Sequence, residues 1–277
     1  MTISSQRSTA PPAVSLSSLT MAYRTREGGE YTAVRNIDLT IPRGRFLSVV
    51  GPTGCGKSTI LNAIAGLRTP SAGSVEIDGR MLGGLNKAAG YMFQSDALLP
   101  WMTVVDNVAL GLQLRGVAAA ERRNQAMAWL RRVGLAGFEK SYPHQLSGGM
   151  RKRTAVAQTW IVDPGILLMD EPFGALDVQT RQIMENELLA LWTGSGKTVV
   201  FVTHDLDEAV SLSDEVVLLS AGPASTIVGR YEIDLPRPRD LMDIRTRPEF
   251  TEIYARIWSD LREEVMKTYE RTARVDA

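Results

Sequence analysis

Short apolar segments that end in polar residues recur along this chain and indicate an α/β protein. Residues 46–50, 165–170, 198–203 and 214–219 are rich in Val, Leu, Ile and Phe, a composition typical of buried strands in a parallel sheet. The alternation of polar and apolar residues over 73–79 predicts a further strand that ends in a turn. Because such sheets bind ligands at the carboxyl ends of their strands, we expect the functional residues to lie there.

The middle of the chain has the periodicity of helices rather than of strands. Thr103 and Asp106 form the pattern of a capping box at the start of a predicted helix. A second helix is predicted over 118–133, and a third begins at Ser147. Residues 95–160 are therefore expected to form a helical subdomain inserted into a core of strands.

The two ends of the chain differ from the predicted main domain, residues 14–240. Residues 1–13 are polar and are predicted to be a disordered tail. Residues 241–277 are expected to be a C-terminal helical extension. Apolar residues recur there at helical spacing behind Pro248: Phe250, Ile253, Tyr254, Ile257, Trp258, Leu261 and Val265. We interpret this stripe as a face that packs on the protein's own core, and contact with a partner subunit is the alternative.

The composition is that of a globular protein and excludes several classes of function. The 277 residues include 31 Lys and Arg, 31 Asp and Glu, and 44% hydrophobic residues, which excludes a disordered chain. Zero net charge argues against sequence-independent binding of nucleic acid. A single cysteine, Cys55, excludes an internal disulfide and a cysteine-based zinc site. Neither a membrane span nor a signal peptide is predicted, so we expect a soluble, cytoplasmic chain.

A glycine-rich segment after the first of these apolar strands predicts a phosphate-binding loop. It reads Gly51-Pro52-Thr53-Gly54-Cys55-Gly56-Lys57-Ser58-Thr59 and matches the pattern G-x-x-x-x-G-K-[ST]. The glycines allow backbone N–H groups to point at phosphate oxygens, and the helix that follows adds positive potential. Lys57 is expected to contact the β- and γ-phosphates of ATP, and Ser58 to bind Mg²⁺. Cys55 is expected to be a tolerated small residue whose thiol, beside Lys57, has a lowered pKa and high reactivity.

Two carboxylates at the end of a buried strand complete the predicted chemistry. Residues 166–172 run from an apolar segment into Asp170 and Glu171. A carboxylate at such a position is costly to bury without a cation, so Asp170 is expected to hold Mg²⁺ through its water shell. Glu171 is expected to orient and deprotonate the water that attacks the γ-phosphate.

The segment Leu146-Ser147-Gly148-Gly149-Met150 is absent from most phosphate-loop proteins, and it leads to a family. The motifs of this chain occur in the order found in the ATP-binding-cassette (ABC) ATPases. Along the chain they are the phosphate loop, Gln94, the segment 146–150, the segment 169–172, the segment 174–177 and His204. Residues 14–240 resemble this family. The resemblance implies an α/β fold: a P-loop NTPase cassette with a RecA-like core, an N-terminal antiparallel β subdomain and a helical subdomain.

The resemblance also implies a homodimer in which two cassettes enclose two ATP molecules head to tail. Ser147 and the backbone N–H groups of Gly148 and Gly149 would then bind the γ-phosphate held by the partner's phosphate loop, because a helix start suits an anion. Asp177 would link the two sites across the dimer.

Three further residues receive roles from the same resemblance. Gln94 would contact Mg²⁺ and the attacking water and would couple the site to a membrane subunit. His204 would contact the γ-phosphate. Tyr23 lies where the family places an aromatic side chain that stacks on adenine, and Tyr31 is the competing candidate.

Details of the motifs resemble one branch of the family, the importers of nitrate, sulfonates, taurine and related small solutes. Met150 replaces the usual Gln of the signature, and residues 99–108 have the sequence Leu-Pro-Trp-Met-Thr-Val-Val-Asp-Asn-Val. This resemblance implies an ATPase that energises import through an integral membrane permease, with an extracytoplasmic solute-binding protein as an indirect partner. Such a chain would lie at the cytoplasmic face of the inner membrane as a peripheral protein.

The alternative is a soluble ABC-type ATPase that acts on DNA or ribosomes. The DNA-repair branch inserts a long coiled coil ahead of the signature, and no heptads separate Lys57 from Ser147. The ribosome-acting branch normally carries two cassettes in one chain. We interpret the basic run Arg151-Lys152-Arg153 as a solvated or phosphate-facing helix start, so no nucleic-acid partner is expected. A third hypothesis is an ATP-dependent small-molecule kinase. It does not explain the presence of the 146–150 segment or of Asp177.

Overall fold

The structure is a computed structural model that describes residues 10–25 and 28–275, with side chains described through residue 271. Residues 1–9, which make up most of the predicted disordered tail, lie outside the described residues. Ala13 is buried, and its N–H donates a 3.0 Å hydrogen bond to the carbonyl of Ile41. Ala13 is therefore part of the fold.

Strands and helices are interspersed through the described residues. Every strand expected from the sequence appears within two residues of its predicted bounds. The strands are β1 (Val14–Arg24), β2 (Glu30–Ile41), β3 (Phe46–Val50), β4 (Ala72–Ile77), β5 (Arg80–Met81), β6 (Ala89–Met92), β7 (Ile166–Asp170), β8 (Thr198–Val202), β9 (Glu215–Leu219) and β10 (Ile227–Glu232). The helices are α1 (Lys57–Ile64), α2 (Val104–Leu114), α3 (Ala119–Arg132), α4 (Gly148–Trp160), α5 (Val178–Trp192), α6 (Leu206–Leu212), α7 (Leu241–Ile244) and α8 (Pro248–Val275).

The strands form two sheets. The first is antiparallel in the order β2-β1-β4-β5, and the second has the order β10-β9-β3-β8-β7-β6. In the second sheet all neighbours from β9 to β6 are parallel, and β10 adds an antiparallel edge. A mixed α/β cassette with a separate N-terminal antiparallel sheet is the fold class expected from the sequence, and the structure confirms it.

The parallel strands bring five carboxyl ends to one edge of the sheet, where those of β3, β8, β7 and β6 are neighbours. The register pairs Val49 with Val202, Val202 with Asp170, and Met169 with Met92. Every residue of β3 and β8 is buried, so these strands form the centre of the core. The segments that leave β3, β6, β7 and β8 therefore begin side by side.

The helices between β6 and β7 pack on one another. Helix α2 contacts both α3 and α4, and the Thr103 hydroxyl caps α2 by accepting a 3.3 Å hydrogen bond from the N–H of Asp106. The predicted start of this helix at Thr103 is thus confirmed. None of the helices formed by the described residues is both long and apolar enough to cross a lipid bilayer.

The C-terminal helix α8 packs on α6 and β10. Phe250, Ile257 and Leu261 are buried in the main core, which confirms that this stripe covers the protein's own core. Trp258 is the exception, because it is 47% exposed.

Candidate active site at the carboxyl ends of the central strands

The phosphate loop crosses from the end of β3 to the start of α1 and lines a cavity of about 550 Å³. Gly56 has a φ of 95°, and a Cβ there would lie 2.5 Å from Cγ1 of Val34. A side chain at this position would therefore clash with β2 as well as strain the backbone. The cavity is lined by Thr53, Gly54, Gly56, Lys57, Ser58, Thr59, Gln94, Glu171 and His204.

Lys57 is held over the loop that precedes it. Lys57 is only 6% exposed. Its Nζ donates hydrogen bonds to the carbonyls of Gly51 at 2.9 Å and Pro52 at 3.0 Å. An ammonium group has three donors, so two bonds to the loop leave one N–H for a phosphate oxygen in the cavity.

Cys55 lies on the inner side of the phosphate loop, away from the cavity. Its side chain is fully buried and packs in the core cluster beneath the loop. Burial raises the pKa of the thiol, and the charge of Lys57 and nearby backbone N–H groups oppose this only in part. The expectation of a lowered pKa is therefore wrong, because desolvation outweighs the helix terminus.

Asp170 lies next to Ser58, which lines the cavity. The Ser58 hydroxyl donates to Oδ1 of Asp170 at 2.8 Å, and the hydroxyl of Tyr91 lies 3.4 Å from Oδ2. Burial raises the pKa of the Asp170 carboxyl above its usual range, and the Ser58 bond partly offsets this. Burial and the Asp170 charge also raise the pKa of Tyr91. A cation beside Asp170 would compensate its buried charge.

The donor set around Ser58 and Asp170 fits Mg²⁺. Both residues offer oxygen atoms, which this ion prefers, and Mg²⁺ commonly uses one or two protein ligands together with phosphate oxygens and water. Among the described residues no group of three or more His, Cys, Asp or Glu could hold a metal ion. Phosphate oxygens or water would supply the remaining ligands of an ion bound by Ser58 and Asp170.

Glu171 points its carboxylate into the cavity from a left-handed backbone conformation with a φ of 44°. Its N–H donates to the carbonyl of Val202 at 2.9 Å, which ties it to the end of β8. Nε2 of Gln94 donates to Oε2 of Glu171 at 3.3 Å, and Nδ1 of His204 lies 3.2 Å from the same oxygen. The structure thus places the three predicted catalytic side chains in contact.

Lys152 supports Gln94 in a way that the sequence did not reveal. It is buried, and its Nζ donates to the carbonyl of Gln94 at 2.8 Å and pairs with Asp96 at 3.0 Å. Arg151 also pairs with Asp96. The interpretation of this basic run as a solvated or phosphate-facing helix start is therefore wrong for Lys152, because it is buried and Asp96, more than 50 residues away, neutralises its charge.

Comparison with known proteins identifies the family. The sequence model of the ABC transporter family matches residues 34–174, half of the chain. This chain is a member of the ABC transporter family.

Named relatives cover most of the cassette. An uncharacterized ABC transporter ATP-binding protein of Methanocaldococcus jannaschii is 49% identical over 241 residues, 87% of this chain and 88% of that protein. The taurine import ATP-binding protein TauB of Yersinia pestis biovar Antiqua is 49% identical over 195 residues, 70% of this chain and 76% of TauB. The bicarbonate transport ATP-binding protein CmpC of Synechocystis is 41% identical over 246 residues, 88% of this chain and 37% of CmpC.

A solved structure supports the same assignment. The ATP-binding cassette MJ0796, in a dimeric post-hydrolysis state bound to ADP and Pi, matches with a TM-score of 0.71 at 33% identity. The match covers 80% of this chain and all of that chain. The cassette described here therefore binds ATP, and its activity is ATP hydrolysis.

The signature segment of the cassette lies apart from the cavity. Ser147 caps α4 by accepting from the N–H of Met150 at 3.3 Å, and a Cβ at Gly149 would lie 2.9 Å from Cγ2 of Thr180 at the start of α5. Asp177 caps α5 in the same way, and the N–H of Thr180 holds the pKa of its carboxyl below the usual range. None of Ser147, Gly148, Gly149 and Asp177 lines the cavity.

Tyr23 and Tyr31 are direct partners across the β1–β2 pair. Tyr23 is half-buried and packs against the core, whereas Tyr31 is 41% exposed. Neither residue lines the phosphate-loop cavity. Stacking of Tyr23 on adenine stays a prediction, and Tyr31 offers the more accessible ring.

A polar network behind His204 is a further feature that the motifs did not indicate. Arg181 pairs with Asp205 at 3.1 Å and donates to the carbonyl of Leu176 at 3.1 Å, so it joins the residues after His204 to those before Asp177. The Thr203 hydroxyl donates to the buried carboxyl of Glu208. His204 is thus held between two residues that are themselves fixed by α5 and α6.

Proposed function

We propose that this cassette is the ATP-hydrolysing subunit of an importer for a small solute such as nitrate, a sulfonate or taurine. It works as a homodimer bound to integral membrane permease subunits at the cytoplasmic face of the membrane. An extracytoplasmic solute-binding protein delivers the solute and is an indirect partner. TauB, an import protein, and CmpC, a transport protein, support this class of function by their similarity.

The observation that carries the proposal is the division of the predicted ATP site into two separate parts of one chain. The phosphate loop, Ser58, Gln94, Glu171 and His204 surround the cavity, whereas the signature at 146–150 lies elsewhere. A second copy placed head to tail would bring its Ser147 to the γ-phosphate. The dimeric state of the similar cassette MJ0796 supports this arrangement.

The residues around the cavity have complementary tasks in the proposed reaction. The loop N–H groups and Lys57 bind the phosphates, and Ser58 and Asp170 hold Mg²⁺, which offsets phosphate charge when it is bound. Glu171 accepts a proton from the attacking water, because its carboxylate faces the cavity. Gln94 and His204 keep that carboxylate in place through Oε2. Tyr23 or Tyr31 stacks on the adenine.

Transport assays on a strain that lacks the gene test the proposal. Uptake of labelled taurine, an alkanesulfonate, nitrate and bicarbonate is measured in the deletion strain, and plasmids then supply the wild-type cassette or Lys57→Ala. We expect uptake of one solute to fall on deletion and to return only with the wild-type cassette. Wild-type uptake of every solute in the deletion strain would contradict this assignment.

The alternative of a soluble ATPase acting on DNA or ribosomes is not favoured by the relatives. This alternative predicts that the ATP turnover of the purified protein rises when DNA or ribosomes are added. Under the importer proposal, turnover of the purified cassette is the same with and without either additive.

A further inference from the structure

A loop that follows β9 supports the phosphate loop from behind. The backbone of Gly222 packs against it, because a Cβ at Gly222 would lie 3.3 Å from the carbonyl oxygen of Gly54 and 3.6 Å from Cα of Cys55. A Cβ at Gly51 would in turn lie 3.0 Å from the carbonyl oxygen of Leu219. We call residues 220–225 the support loop. A shift of the support loop would move the backbone N–H groups that face the phosphates.

One side of the support loop is fixed to β2. The N–H of Ala224 donates to the carbonyl of Thr32 at 2.7 Å, and the N–H of Ser225 donates to the carbonyl of Ala33 at 3.1 Å. These bonds hold the second half of the support loop, residues 224–225. They leave Ala221 and Gly222, which precede them, to be held by other contacts.

The C-terminal helix α8 holds this first half. The N–H of Ala221 donates to Oε2 of Glu264 at 2.8 Å, and Nη1 of Arg271 donates to the carbonyl of Gly222. Glu264 is only 6% exposed, and its other carboxylate oxygen pairs with Lys267. A buried carboxylate that accepts a backbone N–H makes a strong, directional contact. Hydrogen bonds from two turns of α8 thus hold the part of the support loop that packs on Gly54 and Cys55.

We propose that α8 positions the phosphate loop through Glu264 and Arg271, so that ATP affinity depends on the C-terminal helix. Glu264 and Arg271 are positioning residues, since they contact the support loop and not the cavity. The proposal rests on the proposed role of residues 51–59 in binding the phosphates. It assigns α8 a task in nucleotide binding in addition to covering the core.

Nucleotide binding by Glu264→Ala tests the proposal. This change leaves the buried N–H of Ala221 without its acceptor, and the support loop then shifts to satisfy it. We expect the Kd for MgATP, measured by isothermal titration calorimetry, to rise about fivefold to tenfold, a usual range for coupled sites. KM for ATP should rise in parallel, while kcat at saturation stays near the wild-type value because Glu171 is untouched.

Matched variants distinguish an effect on the position of the phosphate loop from an effect on the stability of the fold. Glu264→Gln keeps an oxygen acceptor for Ala221 and should retain nearly wild-type Kd. Glu263→Ala, at the exposed neighbouring position on α8, should leave Kd unchanged. Should Glu264→Ala fold too poorly to measure, Arg271→Ala removes an exposed contact to the same loop and should raise Kd in the same direction.

The outcome that overturns the proposal is an unchanged Kd in Glu264→Ala and Arg271→Ala, even when Tm falls. Lys57→Ala provides the reference for the site itself. If Lys57→Ala loses MgATP binding while the α8 variants keep it, only the role of α8 fails. If Lys57→Ala binds MgATP normally, the proposed phosphate site fails.

Discussion

Glu171 combines an unusual backbone conformation with a central position in the cavity. A positive φ costs a residue other than glycine on the order of 1 kcal/mol. The bond from its N–H to Val202 fixes the backbone, and Gln94 and His204 meet at one carboxylate oxygen. Two neighbouring side chains and one backbone bond therefore fix the orientation of the Glu171 carboxylate.

Glu171→Gln is expected to abolish most hydrolysis while MgATP binding survives. Gln has nearly the same size but cannot accept the proton of the attacking water, and loss of a general base costs about 10²–10⁴ in rate. Phosphate release measures the rate, and calorimetry measures the binding. Near wild-type turnover would show that Glu171 is not the base, and Asp170 with His204 would then have to perform the step.

Cys55 is expected to react slowly with a maleimide in the folded cassette, whether or not MgATP is present. Its side chain is fully buried and its thiol pKa is raised, so the reactive thiolate is both scarce and inaccessible. Labelling followed by mass spectrometry gives the rate, and the chain unfolded in guanidinium should label quickly as the control. Rapid native labelling that MgATP blocks would contradict the position of Cys55 beneath the loop.

At the scale of elements, contacts between α5 and α6 fix the residues that follow β8 at the edge of the sheet. Arg181 of α5 reaches Asp205 at the start of α6, and Glu208 of α6 is buried next to Thr203 at the end of β8. Glu185 of α5 is also buried and pairs with Arg245 at 2.9 Å. Burial raises the pKa of Glu208 to about 7 and that of Glu185 to about 6.

The raised pKa of Glu208 predicts a pH-dependent contribution to stability. Burial raises the pKa of Glu208 in the folded protein to about 7, above the usual glutamate value of 4.5, so this carboxyl keeps its proton to a higher pH in the folded than in the unfolded chain. Stability from this group is therefore greatest at low pH and falls as pH rises through that window. We expect Glu208→Gln to be more stable than the wild type at pH 8, by ~1–3 kcal/mol, with the gap closing at pH 5.

Urea unfolding at both pH values measures this difference in the free energy of unfolding. Glu249→Gln, at an exposed position near the start of α8, is the matched control and should show no pH-dependent gap. A Glu208→Gln variant that is less stable than the wild type at pH 8 would mean that the ionised carboxylate stabilises the fold.

At the scale of the whole molecule, one chain holds both halves of the proposed ATP site in places that do not meet. The cavity lies at the edge formed by β3, β8, β7 and β6, and the signature lies at the start of α4 against α5. Under the proposed function, a second chain completes each site.

Mixing two inactive variants tests this arrangement. Lys57→Ala damages the phosphate loop, and Ser147→Arg fills the signature with a bulky side chain, so each variant alone should hydrolyse little ATP. In a mixed head-to-tail dimer one site has both parts intact, and activity should return. Wild-type turnover that rises with protein concentration shows that dimers form in the assay. A mixture as inactive as its components, under those conditions, would contradict the shared site.

Much of the fold and of the candidate site follows from short-range features of the sequence. Strands such as β3 and β8 are continuous apolar segments, and the phosphate loop needs glycines because Gly56 lies against Val34. Glu171, Gln94 and His204 were predicted from motif order, and the parallel strands brought them into contact. Local spacing suffices for such features, because backbone preferences and hydrophobic periodicity act over a few residues.

Only the tertiary structure decided which distant residues support the site. Lys152 meets the carbonyl of Gln94, Tyr91 meets Asp170, and Glu264 meets Ala221. Each pair is separated by more than 40 residues, and no local pattern connects them. The same holds for Cys55, where burial by the surrounding core outweighed the neighbouring charge. The physical reason is that desolvation and buried hydrogen bonds depend on what the whole fold packs around a group, whereas motifs record only its neighbours along the chain.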